Sequence, residues 1–241
     1  MSCCADGATG RAATTTTPAP ADRAQWLADR AQWLAARKAL LEREKELTRA
    51  RDAVTRERQA LPLLTVDTDY TFIAPGGRRL SLLDLFEGRR QLITYHFMGS
   101  LEGYGWCPIC SFWVDNIGHL AHLHARDTTL MVVSPEPPAE TEQFVKRMGW
   151  TVPFVSCHGT TFYEDFHVRL DDDDPEPEMP GVSTFLREGD AVRYAYSTYR
   201  RGSDLLNNTY NYLDLTPLGR QEDHLEDKMD WVRHHDDYER W

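Results

Sequence analysis

The sequence predicts an α/β fold in which a mixed β-sheet is flanked by helices and preceded by one long helix. Three observations lead there. Two buried-strand patterns, Gln91–Met98 and Thr128–Ser134, each run into an amphipathic helical pattern. Two further strand patterns, Val182–Leu186 and Ala191–Tyr196, bracket the turn Glu188-Gly189-Asp190 and read as a hairpin. Residues 22–60 hold neither glycine nor proline and are dense in Ala, Leu, Arg and Glu, the composition of a continuous helix. Strands alternating with helices and closing on a hairpin give a sheet of mixed direction.

The elements follow in order. Residues 1–21 are small, polar and rich in Thr, Pro and Ala, and are expected to form a disordered tail, because they bury too little apolar area to offset chain entropy. They carry no basic start followed by an apolar stretch, so no signal peptide is read. Residues 22–61 are the long helix. The unit DRAQWLA occurs twice in tandem, and Trp26, Trp33, Leu40, Leu47, Val54 and Leu61 recur every seven residues. A coiled coil needs a second apolar position, and Arg30, Arg37, Glu44, Arg51 and Arg58 stand there instead. A surface helix docked on its own domain is the favoured reading, and a homodimer through this helix is the alternative.

The main domain is expected over 62–241. Val66–Phe72 is strand-like, Pro75-Gly76-Gly77 is a turn, and Ser81 caps a short helix over Leu82–Phe86. After the strand Gln91–Met98, a polar loop from Gly99 to Trp106 leads to Cys107. The helix that follows carries Ile109, Trp113, Ile117 and Leu120 on one face. Thr141–Met148 is a helix and Val152–Ser156 a short extended piece. The acidic run 171–178 is a solvated loop. Leu225–Val232 closes the chain as a helical extension.

Composition excludes several classes. The net charge of −11 removes the basic footprint that nucleic-acid binding requires and disfavours anionic membranes. No apolar run approaches the roughly 18–20 residues that span a bilayer. Five cysteines at uneven spacings, Cys3 and Cys4 among them in the tail, do not form a secreted disulfide framework, so a reducing cytoplasm is expected.

The chemistry concentrates in Trp106-Cys107-Pro108-Ile109-Cys110. Two cysteines three apart at a helix start come within disulfide reach. The first faces the unpaired N–H groups and positive dipole end of the helix, which favour thiolate over thiol. Pro108 suits the first helical turn, where its missing N–H costs nothing. A strand, then CxxC, then an amphipathic helix is a thioredoxin-like redox context, with Cys107 as nucleophile and Cys110 as the resolving thiol. A metalloprotein holding copper or zinc on Cys107, Cys110 and His96 is the alternative, since the His96 strand points to the same end of the sheet. A hydrogen-bonded core histidine is the plainer reading of His96. His119 and His122 do not complete the set on one continuous helix, because nine residues at 1.5 Å each put His119 roughly 13 Å from Cys110. Cys157 follows a predicted strand and has no assigned partner.

The segments QLITYHFM (91–98), CPIC (107–110), HLHARD (122–127), RMGW (147–150), GVSTFL (181–186), YSTYRRG (196–202) and YNYLDLTPLGRQE (210–222) carry a resemblance. From about Arg37 to Tyr238 the chain resembles the bacterial family catalogued as domain of unknown function 899, classed as thioredoxin-like and predicted to be dithiol–disulfide oxidoreductases. The resemblance implies Cys107 and Cys110 as the redox pair, no cofactor, a disulfide-containing protein or small-molecule thiol as substrate, and a cellular thiol as reductant. Asp115 and Asn116 fall on the family's following helix. Trp106, Pro108 and Gly181 are the expected substrate-binding positions. Gly181 occupies the slot where thioredoxin-fold enzymes carry a cis-proline, with Pro180 just before it. Ser134-Pro135-Glu136-Pro137 departs from the family's Ser-Arg-Ala-Pro pattern, putting an anion where a cation is usual. Leu101–Trp106 lacks the Thr or Ser and Pro that precede a peroxiredoxin's attacking cysteine, which disfavours a dedicated peroxidase.

Overall fold

A computed structural model of the chain describes residues 20–101, 105–168 and 180–238. The tail expected at 1–21 lies outside them up to residue 19, as do Cys3, Cys4 and the acidic run 171–178. The chain divides into two compact units, residues 1–58 and 59–241.

The described part of the first unit is one helix, α1 (Pro20–Gln59), of 40 residues. It runs uninterrupted because nothing between residues 21 and 59 breaks a helix, and it stops ahead of Pro62, which restricts the residue before it. Arg37 and Glu44 pair at 2.9 Å, as do Lys45 and Glu42, tying successive turns.

The second unit is built on an eight-stranded sheet. Its strands are β1 (Leu64–Val66), β2 (Thr71–Ile73), β3 (Arg79–Ser81), β4 (Gln91–His96), β7 (Thr128–Ser134), β8 (Phe154–Ser156), β9 (Gly181–Glu188) and β10 (Ala191–Tyr199). β5 (Ser100–Leu101) and β6 (Gly105–Trp106) make a separate two-stranded ribbon between β4 and the cysteines. The helices are α2 (Pro108–Asp115), α3 (Ala121–His124), α4 (Pro138–Met148), α5 (Phe162–Asp165) and α6 (Asn208–Leu213). The sheet order is β1-β10-β9-β4-β7-β8-β2-β3. β4 and β7 are parallel, and the β9–β10 hairpin joins antiparallel on the other side of β4. A central strand leading into a CxxC helix, a parallel neighbour and an antiparallel hairpin make up the thioredoxin arrangement, here widened at both edges.

β4 sits between β7 and β9 and is buried on both faces. Its pleat sends alternate side chains to two separate cores. Leu92 packs with Phe72, Phe86, Phe162, Phe166 and Phe185 on one side. Tyr95 and Phe97 pack with Cys107, Cys110, Phe112, Trp113, Phe144 and Phe154 on the other.

Several elements differ from expectation. The strand expected over Val66–Phe72 is two, β1 and β2, in different parts of the sheet. Ser81 belongs to β3, and its hydroxyl accepts the Asp84 N–H at 3.1 Å, but the turn it caps is a single 3₁₀ turn, Asp84–Phe86. The amphipathic helix after the cysteines ends at Asp115. Asn116 closes it, its side-chain amide donating to the Phe112 carbonyl while its oxygen accepts from the Thr209 N–H and hydroxyl. Ile117 and Leu120 therefore lie beyond α2. Leu225–Val232 forms hydrogen-bonded turns instead of a helix, because Trp231 must reach back to Glu222, which its indole N–H meets at 2.6 Å. No helix among the described residues is long and apolar enough to cross a membrane.

Candidate functional site

Cys107 is the N-cap of α2, with extended backbone angles (φ −62°, ψ 111°) and Pro108 opening the helix behind it. Its sulfur accepts the Cys110 N–H at 3.2 Å, so it takes one of the helix's otherwise unpaired amides. Its own N–H donates to the Gly99 carbonyl at 3.0 Å, and its carbonyl accepts the Ser111 hydroxyl at 3.0 Å. Those bonds fix the turn that carries the pair. Both cysteines stand as thiols. Cys107 is 2% exposed and Cys110 fully buried.

Cys110 lies under α2. Its sulfur accepts the Met98 N–H at 3.4 Å. Burial pushes its thiol well above the usual range, and the neighbouring Cys107 sulfur pushes the same way; the Met98 amide and the Tyr95 hydroxyl act against both. The Cys110 thiol is therefore held protonated at rest.

Tyr95 is the residue that the sequence reading missed. It is 3% exposed, and its hydroxyl lies beside both thiols with no hydrogen bond of regular geometry. The available signal was the period of two along β4: Tyr95, unlike His96, shares a face with Ile93 and Phe97.

His96 is accordingly on the wrong face for the alternative metal set. Its Nε2 meets the Ser183 hydroxyl at 2.8 Å, and its ring packs on Phe162 and Tyr163, in the opposite core from the cysteines. The pleat, which reverses direction at each residue, separates it from Cys107 and Cys110, although all three lie near the same end of the strand. The plainer reading of a hydrogen-bonded core histidine fits. Cys157 is also in that opposite core, with its N–H on the Ser134 carbonyl at 2.8 Å. Among the described residues, three ligand atoms close enough to share an ion are those of His234, Asp236 and Asp237, and there Arg147 already pairs with both aspartates. Of the histidines after α2, His119 and His122 are exposed and His124 half-buried.

Trp106 is half-buried and stacks on Phe144, with centroids 4.3 Å apart and planes at 4°. Gly181 opens β9 opposite His96 on β4 and Tyr199 on β10. A Cβ there would lie 2.6 Å from both the Thr198 carbonyl oxygen and Tyr199 Cδ1. We expect Gly181→Ala to lower stability by about 1–3 kcal/mol in urea unfolding, through forced strand separation; an unchanged midpoint would refute the close packing. Glu136, the anion in the departing segment, accepts the Ser100 N–H at 2.6 Å and so anchors the ribbon before the cysteines. Gly99 leaves room for it: a Cβ at Gly99 would meet the Glu136 carboxylate, and its φ of +81° is one that L side chains rarely adopt.

α2 is held from the far side by the C-terminal segment. Phe112 packs edge-on against Tyr210 at 5.3 Å and Trp231 at 5.5 Å, and the Trp113 indole donates to the Ser203 carbonyl at 3.2 Å. Sequence periodicity gave no sign of these long-range partners.

Among solved structures the chain is similar to peroxiredoxin Q of Xanthomonas campestris, with 14% identity over 62% of this chain and 94% of that one and a TM-score of 0.46. Peroxidoxin BcpB from Mycobacterium tuberculosis gives 16% identity over 63% and 96%, TM-score 0.45. A putative protein disulfide isomerase from Bacteroides thetaiotaomicron gives 19% identity over 63% and 92%, TM-score 0.41. No curated protein matches the sequence. The family model described as bacterial protein of unknown function (DUF899) matches residues 23–238, nearly the whole chain, and the protein belongs to that family.

Proposed function

We propose that the protein is a thiol–disulfide oxidoreductase working through Cys107 and Cys110. The observation that carries this reading is the N-cap position of Cys107, whose sulfur takes the Cys110 amide while Cys110 itself stays buried and protonated. Cys107, as thiolate, attacks one sulfur of a substrate disulfide. A Cys107–substrate disulfide forms and the first substrate thiolate leaves. Cys110 then gives up its proton and attacks the Cys107 sulfur. The second substrate thiol leaves, and a Cys107–Cys110 disulfide remains. Two electrons pass to the substrate, and a cellular thiol reductant returns them to the pair. The substrate is a disulfide-containing protein or a small disulfide, in a reducing cytoplasm. Because Cys107 is nearly covered, the reading requires its neighbours to part when a substrate docks.

Roles are tested by trapping. Cys110→Ser is expected to accumulate mixed disulfides at Cys107, because nothing remains to resolve them, and Cys107→Ser to accumulate none. Mass spectrometry after exposure to a small aromatic disulfide reads both. Mixed disulfides on Cys110 in the absence of Cys107, or none on Cys107 in the absence of Cys110, would show the assignment to be wrong.

A further inference from the structure

We propose that Tyr95 is a catalytic residue of the resolving step, its buried hydroxyl donating to the Cys110 sulfur as that sulfur turns into the attacking thiolate. The inference rests on the oxidoreductase reading and adds a residue to it.

The chemistry sets a difficulty that the helix does not solve. Cys107 has the N-terminal amide of α2 to itself, since the Cys110 N–H points at the Cys107 sulfur. Cys110 lies inside the first turn, where the helix offers it no donor. The core it shares with Phe97, Phe112, Trp113, Val114 and Val132 is apolar and offers an anion little. Yet for resolution Cys110 must carry a negative charge while its sulfur approaches Cys107. A buried anion needs donors aimed at it.

Two groups meet that need. The Met98 N–H reaches the Cys110 sulfur at 3.4 Å from the end of the β4 segment. The Tyr95 hydroxyl lies beside the same sulfur, and it has no regular hydrogen bond elsewhere. A phenol in this core has no water to turn to, being 3% exposed. Its own proton is held firmly, because burial and the adjacent thiols oppose a phenolate, so it acts as a donor and never as a competing anion. The resting thiol calls weakly on the hydroxyl. The thiolate calls on it strongly, since bonds to an ionised acceptor are roughly twice as strong as neutral ones. The group is thus placed to help the charged form most, the form that exists while the Cys107–substrate bond is being broken.

The balance is simple. The Cys110 proton leaves to solvent or to the departing substrate thiolate. Tyr95 keeps its proton throughout. The electron pair on Cys110 forms the new sulfur–sulfur bond, and the Cys107–substrate pair departs with the leaving sulfur.

Full-chain protein with Cys3, Cys4 and Cys157 replaced by serine, fully reduced, is mixed with excess 5,5′-dithiobis(2-nitrobenzoate). The first equivalent of coloured thiolate reports attack by Cys107, and the second reports resolution by Cys110. Tyr95→Phe removes one oxygen and keeps the ring. The first phase is expected to stay within about twofold of the parent, and the second to slow about 10- to 100-fold, the loss of one bond to a charged acceptor. The pH profile of the second phase should move to higher pH, since a thiolate short of one donor forms less readily. A second phase as fast as the parent's would overturn the proposal. Equal slowing of both phases with no movement of the pH profile would overturn it too, by assigning Tyr95 a packing role. If Cys110→Ser in the same background gives no stable Cys107 adduct, the oxidoreductase reading itself fails, a result separate from either outcome at Tyr95.

Discussion

Acidification from pH 6.5 to 4.5 is expected to remove about 2 kcal/mol of folding stability through His96 alone. His96 is fully buried, and burial pushes its pKa down to about 3. An unfolded histidine takes up a proton near pH 6.5. Between those two values the unfolded chain binds a proton that the folded chain refuses. Stability therefore falls as pH falls, with a slope that grows from half toward the full value of about 1.4 kcal/mol per pH unit below pH 6.5, and the contribution is complete only well above pH 6.5. The comparison is with His96→Gln, which cannot titrate but retains a polar group facing Ser183. Other acidic groups change both proteins alike. Urea unfolding of the pair at pH 7.5, 6.5, 5.5 and 4.5 isolates the histidine. The gap between them should move in the variant's favour by the amount above as pH drops. A gap that stays level across the series would mean that His96 is protonated in the folded protein, or reached by water.

Glu222→Ala is expected to cost about 2–6 kcal/mol. The carboxylate is 7% exposed, and one oxygen, Oε1, accepts from the Tyr210 hydroxyl at 2.7 Å and from the Trp231 indole at 2.6 Å. Truncation strands two buried donors, and each carries a penalty of about 1–3 kcal/mol. Glu222→Gln keeps an oxygen in place and should cost much less. The effect should also reach the cysteines. Phe112 and Trp113 of α2 lean on Tyr210, so loosening Tyr210 frees the helix that buries Cys110. Alkylation of Cys110 near neutral pH, negligible in the parent, should become measurable in Glu222→Ala. Unfolding midpoints within about 0.5 kcal/mol of the parent would contradict the network.

The sheet core and the placement of the cysteines were legible because their signals are local. Leu92, Ile93, Tyr95 and Phe97 announce a strand, and Pro108 after Cys107 announces a helix start. What stayed hidden depends on residues far along the chain. The end of α2 is set by Asn116 meeting Thr209, and the loss of the final helix by Trp231 meeting Glu222. The alternative metal set does not assemble for a different reason. His96 and the cysteines lie near one end of the strand, but one position along a pleat changes the core into which a side chain goes, and the preferred reading of His96 as a hydrogen-bonded core histidine is the one that fits. Cys107 at 2% exposure was likewise unexpected, because periodicity describes a helix face and says nothing of what packs over its first turn.

The two outermost strands of the sheet, β1 and β3, are three residues each. Unpaired backbone along a sheet edge is a template for another chain, and brevity is one of the devices that blunt it. A strand of three residues offers an incoming segment only a few hydrogen bonds, too few to fix a register. Arg79 in β3 and Arg78 before it add positive charge on that side. The two outermost strands are thus poor templates for growth by strand addition, either into fibrils or onto a neighbouring copy.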